Sequence, residues 1–302
     1  MEMTPKLSII IVNWNTAELL RQCLNSLVQS SKACPELAEG FKVQSEIIVV
    51  DNGSTDDSVK LIQSLKLKVI QNKENLGFAK GNNIGIKEAT GEYIMLLNTD
   101  TVVKEGAVEK LVEFLDRSSD EVAAISPLIL NSDDTIQKDP CFLKYPSPLS
   151  VLFYYNSILK NIALKFFPKL LFSVTDFSKP SLVDQLPGAA MMIKKKVLDE
   201  IGLFDEKFQI YFEDSDLCMR MKKAGYMLSF EPSAKIVHLG RQSIKPIIDK
   251  EGIEKFYLLN FESLFRFCKK HYSFMKYFSI KIIILLQLLL TGKIGLFVKL
   301  II

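Results

Sequence analysis

The stretch Tyr93-Ile-Met-Leu-Leu-Asn98-Thr99-Asp100 is an apolar run of strand length that ends in an amide and a carboxylate. An acid leaving a buried strand stands at the sheet edge where open α/β folds hold ligands. It can hold a hard divalent cation, because Mg²⁺ or Mn²⁺ needs only one or two protein carboxylates and takes its other ligands from phosphates. Taken alone, Asp100 could equally cap a helix starting near Glu105. A second acid, Asp51, closes Ile47-Ile-Val-Val50 and is followed by Asn52-Gly53-Ser54-Thr55-Asp56. A carboxylate beside free N–H groups at a helix start can accept the ring N–H of a uracil or thymine; an ordinary Asx turn is the alternative. Glu213, Asp214 and Asp216 crowd a third helix start, directly after Tyr211 and Phe212. Acids there complement the helix dipole, but an acid partly desolvated by aromatic rings has a raised pKa and suits a general base. His238, one of two histidines, lies between a strand and a Gly240-Arg241 loop and is a candidate metal or phosphate ligand, although a lone histidine is more often structural.

These residues need elements to hold them. Leu7-Ser-Ile-Ile-Ile-Val12 is a β-branched strand, followed by a polar turn at Asn13-Trp14-Asn15 and a helix with apolar positions at Leu19, Leu20, Cys23, Leu24 and Leu27. Residues 29–42 carry Pro35 and Gly40 without a period and read as a surface loop. Lys68 to Gln71 is a third strand. It leads into Asn75-Leu-Gly77-Phe78-Ala-Lys-Gly81-Asn82-Asn83-Ile-Gly85, whose glycines suit a loop and helix start packed on a nucleotide. A helix from Glu105 to about Arg117 and a strand from Val122 to Ile125, closed by Pro127, continue the alternation. The pattern predicts an α/β fold with a mostly parallel, doubly wound sheet.

Lys and Arg total 38 against 35 Asp and Glu, an excess of three that argues against nucleic acid as the main partner. The charge is uneven: no acid occurs between Asp139 and Asp176, and none follows Glu262. Residues 149–174 are apolar and aromatic but interrupted by lysines, consistent with membrane-surface contact or a helical lid. The tail from Phe256 turns strongly apolar between Ile282 and Leu290, where Gln287 and Lys293 favour a helix lying on a membrane over one crossing it; packing on the protein is the alternative. Five scattered cysteines without metal-ligand spacing suit a reducing compartment, and the first residues lack a signal-peptide core, so a cytoplasmic location at the inner face of the cell membrane is expected. We expect residues 1–130 to form a nucleotide-binding half, 131–255 to form the other half of the same domain around the apolar insertion 149–174, and 256–302 to form a helical tail.

Eight short motifs occur in order: Ile11-Val-Asn-Trp-Asn15, Val50-Asp-Asn-Gly-Ser54, Asn75-Leu-Gly-Phe78, Leu97-Asn-Thr-Asp100, Gly188-Ala-Ala190, Gly202-Leu-Phe-Asp205, Phe212-Glu-Asp-Ser-Asp-Leu217 and His238-Leu-Gly-Arg-Gln-Ser243. In this set the chain resembles glycosyltransferase family 2, the inverting enzymes of GT-A fold, and especially its rhamnosyltransferase-like members. The resemblance runs from about Leu7 to Ser243. It implies that Asp51 reads the pyrimidine, with Asn13, Asn15, Asn75, Gly77, Phe78 and Asn82 around the nucleotide. It further implies Asp100 and His238 at a Mg²⁺ or Mn²⁺ ion, Asp214 as base beside Glu213, and Gly188, Ala189, Arg241 and Ser243 near diphosphate and acceptor. Asn98 stands where the family's D-x-D element has its first acid. The implied reaction moves rhamnose or another hexose from a dTDP- or UDP-sugar to a saccharide acceptor, in particular a lipid-linked cell-surface precursor. Two other readings are a nucleotidyltransferase, against which the lack of an early Gly-rich triphosphate loop counts, and a non-catalytic sugar-nucleotide binder.

Overall fold

The computed structural model describes residues 5–30, 43–63, 67–138, 143–174, 176–240 and 252–301. The loop expected over 29–42 lies almost wholly outside them, as do Arg241, Ser243, Cys34 and Cys141. The described cysteines, Cys23, Cys218 and Cys268, are buried and free.

Strand β1 (Leu7–Asn13) is apolar on both faces and therefore central. It pairs in parallel with β2 (Ser45–Asp51) on one side and β4 (Tyr93–Leu97) on the other, and β3 (Lys68–Gln71) extends the sheet beyond β2. The β1–β2 register sets Asn13 opposite Asp51, so two polar residues end neighbouring strands at one edge. Helices α1 (Ala17–Ser30), α2 (Ser58–Gln63) and α3 (Gly77–Lys87) make the crossovers. In α3 the glycines have a different use from the one their composition suggests. A Cβ on Gly81 would lie 2.7 Å from Val12 Cγ1, and one on Gly85 would lie 2.4 Å from Ile10 Cγ2, so both let the helix settle onto the sheet. Only Gly77, with φ +79° and open space around its Cβ position, keeps the character of a ligand loop.

After β4 the chain departs from simple alternation. Asp100 does not cap a helix: it is followed by a short strand, β5 (Thr101–Val103), and α4 (Ala107–Arg117) begins later, after Gly106 at φ 68°. Strand β6 (Val122–Leu130) does not stop at Pro127 but runs through it, with a register shift between Pro127 and Leu128 that accommodates the missing N–H. Strand β8 (Ala190–Lys194) enters antiparallel between β4 and β6, and β9 (Met227–His238) pairs in parallel with β6. Strands β5 and β7 (Ser181–Leu182) lie antiparallel to β9. The sheet, in the order β3-β2-β1-β4-β8-β6-β9-β5, is thus parallel in its first half and mixed beyond β4, with helices on both faces.

Residues 149–174 form α5 (Pro148–Tyr154), α6 (Ser157–Phe166) and α7 (Pro168–Leu171), the first two started by side-chain caps at Ser147 and Asn156. Helices α8 (Lys195–Ile201) and α9 (Glu213–Lys223) flank the second half of the sheet. The tail is three helices, α10 (Ile253–His271), α11 (Phe274–Leu290) and α12 (Ile294–Ile301). Its inner face makes a second hydrophobic core with Val151 of α5 and Phe208, built on Phe261, Leu264, Phe267, Ile280, Ile284 and Leu288. Gln287, which interrupts the apolar run in sequence, is buried and donates to the carbonyl of Leu152 at 2.8 Å. The outer face leaves Phe274, Met275, Phe278, Leu286, Leu290 and Ile294 exposed. Among the described residues no helix is long and apolar enough to cross a membrane.

Candidate active site

The ends of β1 and β2 carry a closed polar network. Asn13 Nδ2 donates to Asp51 Oδ1 (2.8 Å) and to Ser54 Oγ (3.1 Å), while Ser54 gives its hydroxyl to Asp51 Oδ1 (2.6 Å) and its N–H to Oδ2 (2.9 Å). Thr16 donates to the remaining oxygen of Asn13. Asn15, left-handed at φ 52°, accepts from the Thr55 N–H at 2.7 Å. The Asx-turn alternative and the ligand reading therefore describe the same residues: the turn is what orients the carboxylate. Asn13 and Asp51 are buried, and Asn13 spends its amide holding Asp51. Asn82, also expected around a nucleotide, is 2% exposed and donates to the Phe78 carbonyl one turn back, so it braces the start of α3 instead of lining a cavity. Asn75 accepts from the Gly77 N–H (2.9 Å) and ties the loop before α3 into its bend. Asn52, not singled out from sequence, joins the two loops: its amide donates to the Gly77 carbonyl (3.1 Å) and its oxygen accepts from Asn72 (2.9 Å).

At the end of β4 the geometry is the opposite, because polar atoms are left over. The Asp100 side chain is fully buried, and neither carboxylate oxygen has a hydrogen-bond partner. His238, brought alongside by the β5–β9 pairing, places Nε2 3.4 Å from Asp100 Oδ1. Its Nδ1 lies 2.7 Å from Gln137 Oε1, while the Gln137 amide nitrogen donates to Asn131 and to the His238 carbonyl. With Gln137 Oε1 the acceptor, Nδ1 is the donor, and Gln137 holds the ring so that Nε2 faces the acid. A carboxylate with no hydrogen-bond partner and an imidazole nitrogen 3.4 Å from it are the donor types that a divalent cation takes. Among the described residues no three His, Cys, Asp or Glu side chains are placed to hold one metal ion together, so such an ion would take most of its ligands from elsewhere, as hard cations at phosphates do.

The third group forms around Gly188. A Cβ there would meet the Phe78 ring at 3.2 Å and Asp214 Cβ at 3.5 Å, so glycine lets α3, the loop before β8 and α9 converge without displacing the ring. Asp214 Oδ2 accepts from the Gly188 N–H (3.0 Å) and Oδ1 from the Ser215 N–H (2.7 Å). The Ala189 carbonyl accepts from the Asn98 N–H (3.0 Å), which ties this loop to the one bearing Asp100. Burial raises the pKa of both Glu213 and Asp214, and for Glu213, pushed up to about 8, the neighbouring Asp214 charge adds to the effect. Glu213 Oε2 is buried without a partner. Asp216 goes the other way. Its buried carboxylate accepts from His271 (2.6 Å), Lys270 (2.8 Å) and Arg220 (2.9 Å), and these bonds outweigh desolvation to hold it at about 2. Sequence reading grouped the three acids together; the structure separates two with raised pKa from one structural anion held by Arg220 of its own helix and by Lys270 and His271 of the tail.

The profile of glycosyl transferase family 2 matches residues 8–202. The chain belongs to this family. A low-salt glycan biosynthesis hexosyltransferase of Haloferax volcanii is 27% identical over 225 residues, 73% of this chain and 63% of that protein. An N-acetylglucosaminyl-diphospho-decaprenol L-rhamnosyltransferase of Mycobacterium tuberculosis is 24% identical over 254 residues, 78% of this chain and 76% of that one. The chain thus spans less than two thirds of the length of the Haloferax relative. Among solved structures, the mannosyltransferase PcManGT of Pyrobaculum calidifontis, in complex with GDP-Man and Mn²⁺, superposes with a TM-score of 0.57 at 17% identity, covering 89% of this chain and 64% of that one. GalNAc-T7 with UDP, GalNAc and Mn²⁺ gives 0.56 at 20% identity, covering 79% and 44%. The shared fold is GT-A. The family match ends before α9, so Glu213, Asp214 and His238 lie beyond it.

Proposed function

We propose that this glycosyltransferase moves rhamnose or another hexose from a dTDP- or UDP-sugar to a saccharide acceptor with inversion at the anomeric carbon. The observation that carries the reading is the convergence of a raised, half-satisfied carboxylate, Asp214, with the unpartnered Asp100–His238 pair through the Asn98–Ala189 backbone bond. Asp51 supports a pyrimidine over a purine. Three donors already occupy its oxygens, and the lone pair left on Oδ2 suits a single ring N–H.

In this scheme Asp214 takes the proton from the acceptor hydroxyl, whose oxygen attacks the anomeric carbon on the face opposite the nucleotide. The bond from that carbon to the diphosphate oxygen breaks, and the nucleoside diphosphate leaves with the electron pair. Asp100 and His238 would hold a Mg²⁺ or Mn²⁺ ion, which supplies positive charge to the departing diphosphate. The Gly188 N–H keeps one Asp214 oxygen in place while leaving it lone pairs for the hydroxyl.

The exposed apolar side chains of α11 and α12, with Lys276, Lys281 and Lys293 near them and no acid after Glu262, support attachment to an anionic membrane surface and a lipid-linked acceptor. Incubating the protein with dTDP-, UDP- and GDP-sugars, with Mn²⁺ and with polyprenyl-diphosphate-linked saccharides, tests the reading. Release of dTDP or UDP with an inverted product is expected. Turnover confined to GDP-sugars, or diphosphate release from a nucleoside triphosphate and a sugar phosphate, would overturn it.

A further inference from the structure

Two residues directly before the catalytic acids occupy a backbone conformation that bulky side chains rarely adopt: Tyr211 at φ 59° and Phe212 at φ 66°. A left-handed residue of this kind persists only where its surroundings over-determine it. Here the surroundings are one helix of the tail. The Tyr211 ring meets Phe256 edge to face at 5.9 Å, and the Phe212 ring meets Phe267 at 5.6 Å. Phe256 and Phe267 lie about three turns apart on one face of α10. Phe267 is fully buried and also packs on Tyr145 and Tyr272, so its position is fixed from several sides.

The end of α10 grips the same segment a third time. Lys270 and His271 bind the Asp216 carboxylate, and the Asp216 N–H donates to the Phe212 carbonyl (2.8 Å), closing the first turn of α9. Lys270 also reaches Asp205 at 2.7 Å, and Arg220, the remaining partner of Asp216, donates to the carbonyls of Ile201, Gly202 and Leu203. The ring contacts and the Asp216 bonds thus bear directly on Tyr211, Phe212 and Asp216, the residues flanking Glu213 and Asp214.

We propose that α10 is a positioning element of the reaction: its rings and its Lys270–His271 pair hold the left-handed turn that presents Asp214, so the tail sets turnover as well as any attachment. The proposal rests on the reading of Asp214 as the base. If the turn relaxes to an ordinary φ, the first turn of α9 swings and the Gly188–Asp214 bond is lost.

The test uses the full chain with Phe256→Ala, a half-buried position whose loss leaves the second core intact. Releasing one strained residue should lower kcat about ten-fold, with donor KM changed less than about two-fold. Amide hydrogen exchange of residues 211–216 should quicken while that of β1 and β4 does not. Adding Tyr211→Gly, which adopts the left-handed turn without strain, should recover most of the lost kcat; a purely structural role for Phe256 predicts no such rescue. Unchanged kcat in Phe256→Ala, or a loss that Tyr211→Gly deepens, would overturn the proposal. Asp214→Asn is assayed alongside. An active Asp214→Asn refutes the base assignment, whereas the exchange and rescue results report separately on whether α10 holds the turn.

Discussion

Asp100 offers a prediction in which activity and stability move in opposite directions. Its carboxylate is fully buried with neither oxygen hydrogen-bonded, and a histidine nitrogen lies 3.4 Å from one of them. Leaving a buried polar group unsatisfied costs about 1–3 kcal/mol, more when it is charged. Asp100→Ala removes that penalty and leaves a hole the size of a carboxylate, which at roughly 24 cal/mol per Å3 gives back about 1 kcal/mol. The metal-free variant should therefore be more stable than the metal-free wild type by about 1–2 kcal/mol, or a Tm higher by roughly 2–6 °C for a chain of this size. Mn²⁺ should reverse the order. A cation at one hundred times its Kd stabilises the wild type by about 2.7 kcal/mol and the variant not at all. Scanning calorimetry in EDTA and then across a Mn²⁺ titration should show the two Tm curves crossing, while the variant loses metal-dependent transfer. A variant less stable than wild type in EDTA, or one whose Tm climbs with Mn²⁺ as the wild type does, would refute the argument.

The two coupled acids should separate by function. Asp214→Asn keeps the shape and removes the proton acceptor, so kcat should fall by about 10²-fold or more with donor affinity unchanged; if Glu213→Gln is the dead variant and Asp214→Asn turns over, the roles are reversed. Glu213 also predicts a pH dependence of stability. Its folded pKa, about 8, lies above the ordinary value of 4.5, so its contribution is complete below about 4.5 and disappears as pH rises through about 8. Urea midpoints measured from pH 5 to 8 should therefore decline less in Glu213→Gln than in wild type, and parallel declines would count against a buried, proton-bearing Glu213. Asp216 carries the opposite sign: held at about 2 by His271, Lys270 and Arg220, it stabilises the fold above about 4, and that share is lost as pH falls toward 2. For the tail, co-sedimentation with anionic vesicles should exceed that with neutral ones, and charge reversal of Lys276, Lys281 and Lys293 should abolish the difference; equal behaviour on both vesicle types would remove the membrane from the scheme.

Much of the site's skeleton was legible because strands and their ends are local features. Leu7–Asn13, Ser45–Asp51 and Tyr93–Leu97 are apolar runs that stop at polar residues, and Asp51 and Asp100 lie at or just past their ends. What was illegible depends on partners distant in sequence. Gly81 and Gly85 look like ligand glycines until Val12 and Ile10 are seen under them. Asn82 looks free until its helix folds its amide onto Phe78. The apolar run from Ile282 to Leu290 suits a membrane surface or a protein core equally in sequence, and only the fold shows that Ile284 and Leu288 join a core with Val151 and Phe208 while Gln287, which breaks the hydropathy, bonds Leu152. The antiparallel entry of β8 between β4 and β6 could not be read at all, since nothing in Ala190–Lys194 distinguishes it from a parallel strand.

That entry explains how two differently built halves make one site. Along β1 and β2 the polar side chains satisfy one another: Asn13, Asp51 and Ser54 form a frame that exists before any ligand arrives and loses nothing while it waits. Past β4 the frame gives way to deficits, with both oxygens of Asp100 and one of Glu213 buried and unmatched. Other buried atoms, such as the Tyr145 and Tyr272 hydroxyls, are unmatched too; what sets Asp100 apart is that both oxygens of one carboxylate are left over beside His238. Because β8 runs against β4, the loop before it returns to the β4 end, and Ala189 binds Asn98 while Gly188 binds Asp214. A bound diphosphate and its cation would thus meet the deficits, and a sugar beside them would meet the base, while the satisfied half supplies orientation. Under the proposed reading, a frame complete on one side and incomplete on the other suits an enzyme that recognises its donor's base and acts on its donor's diphosphate.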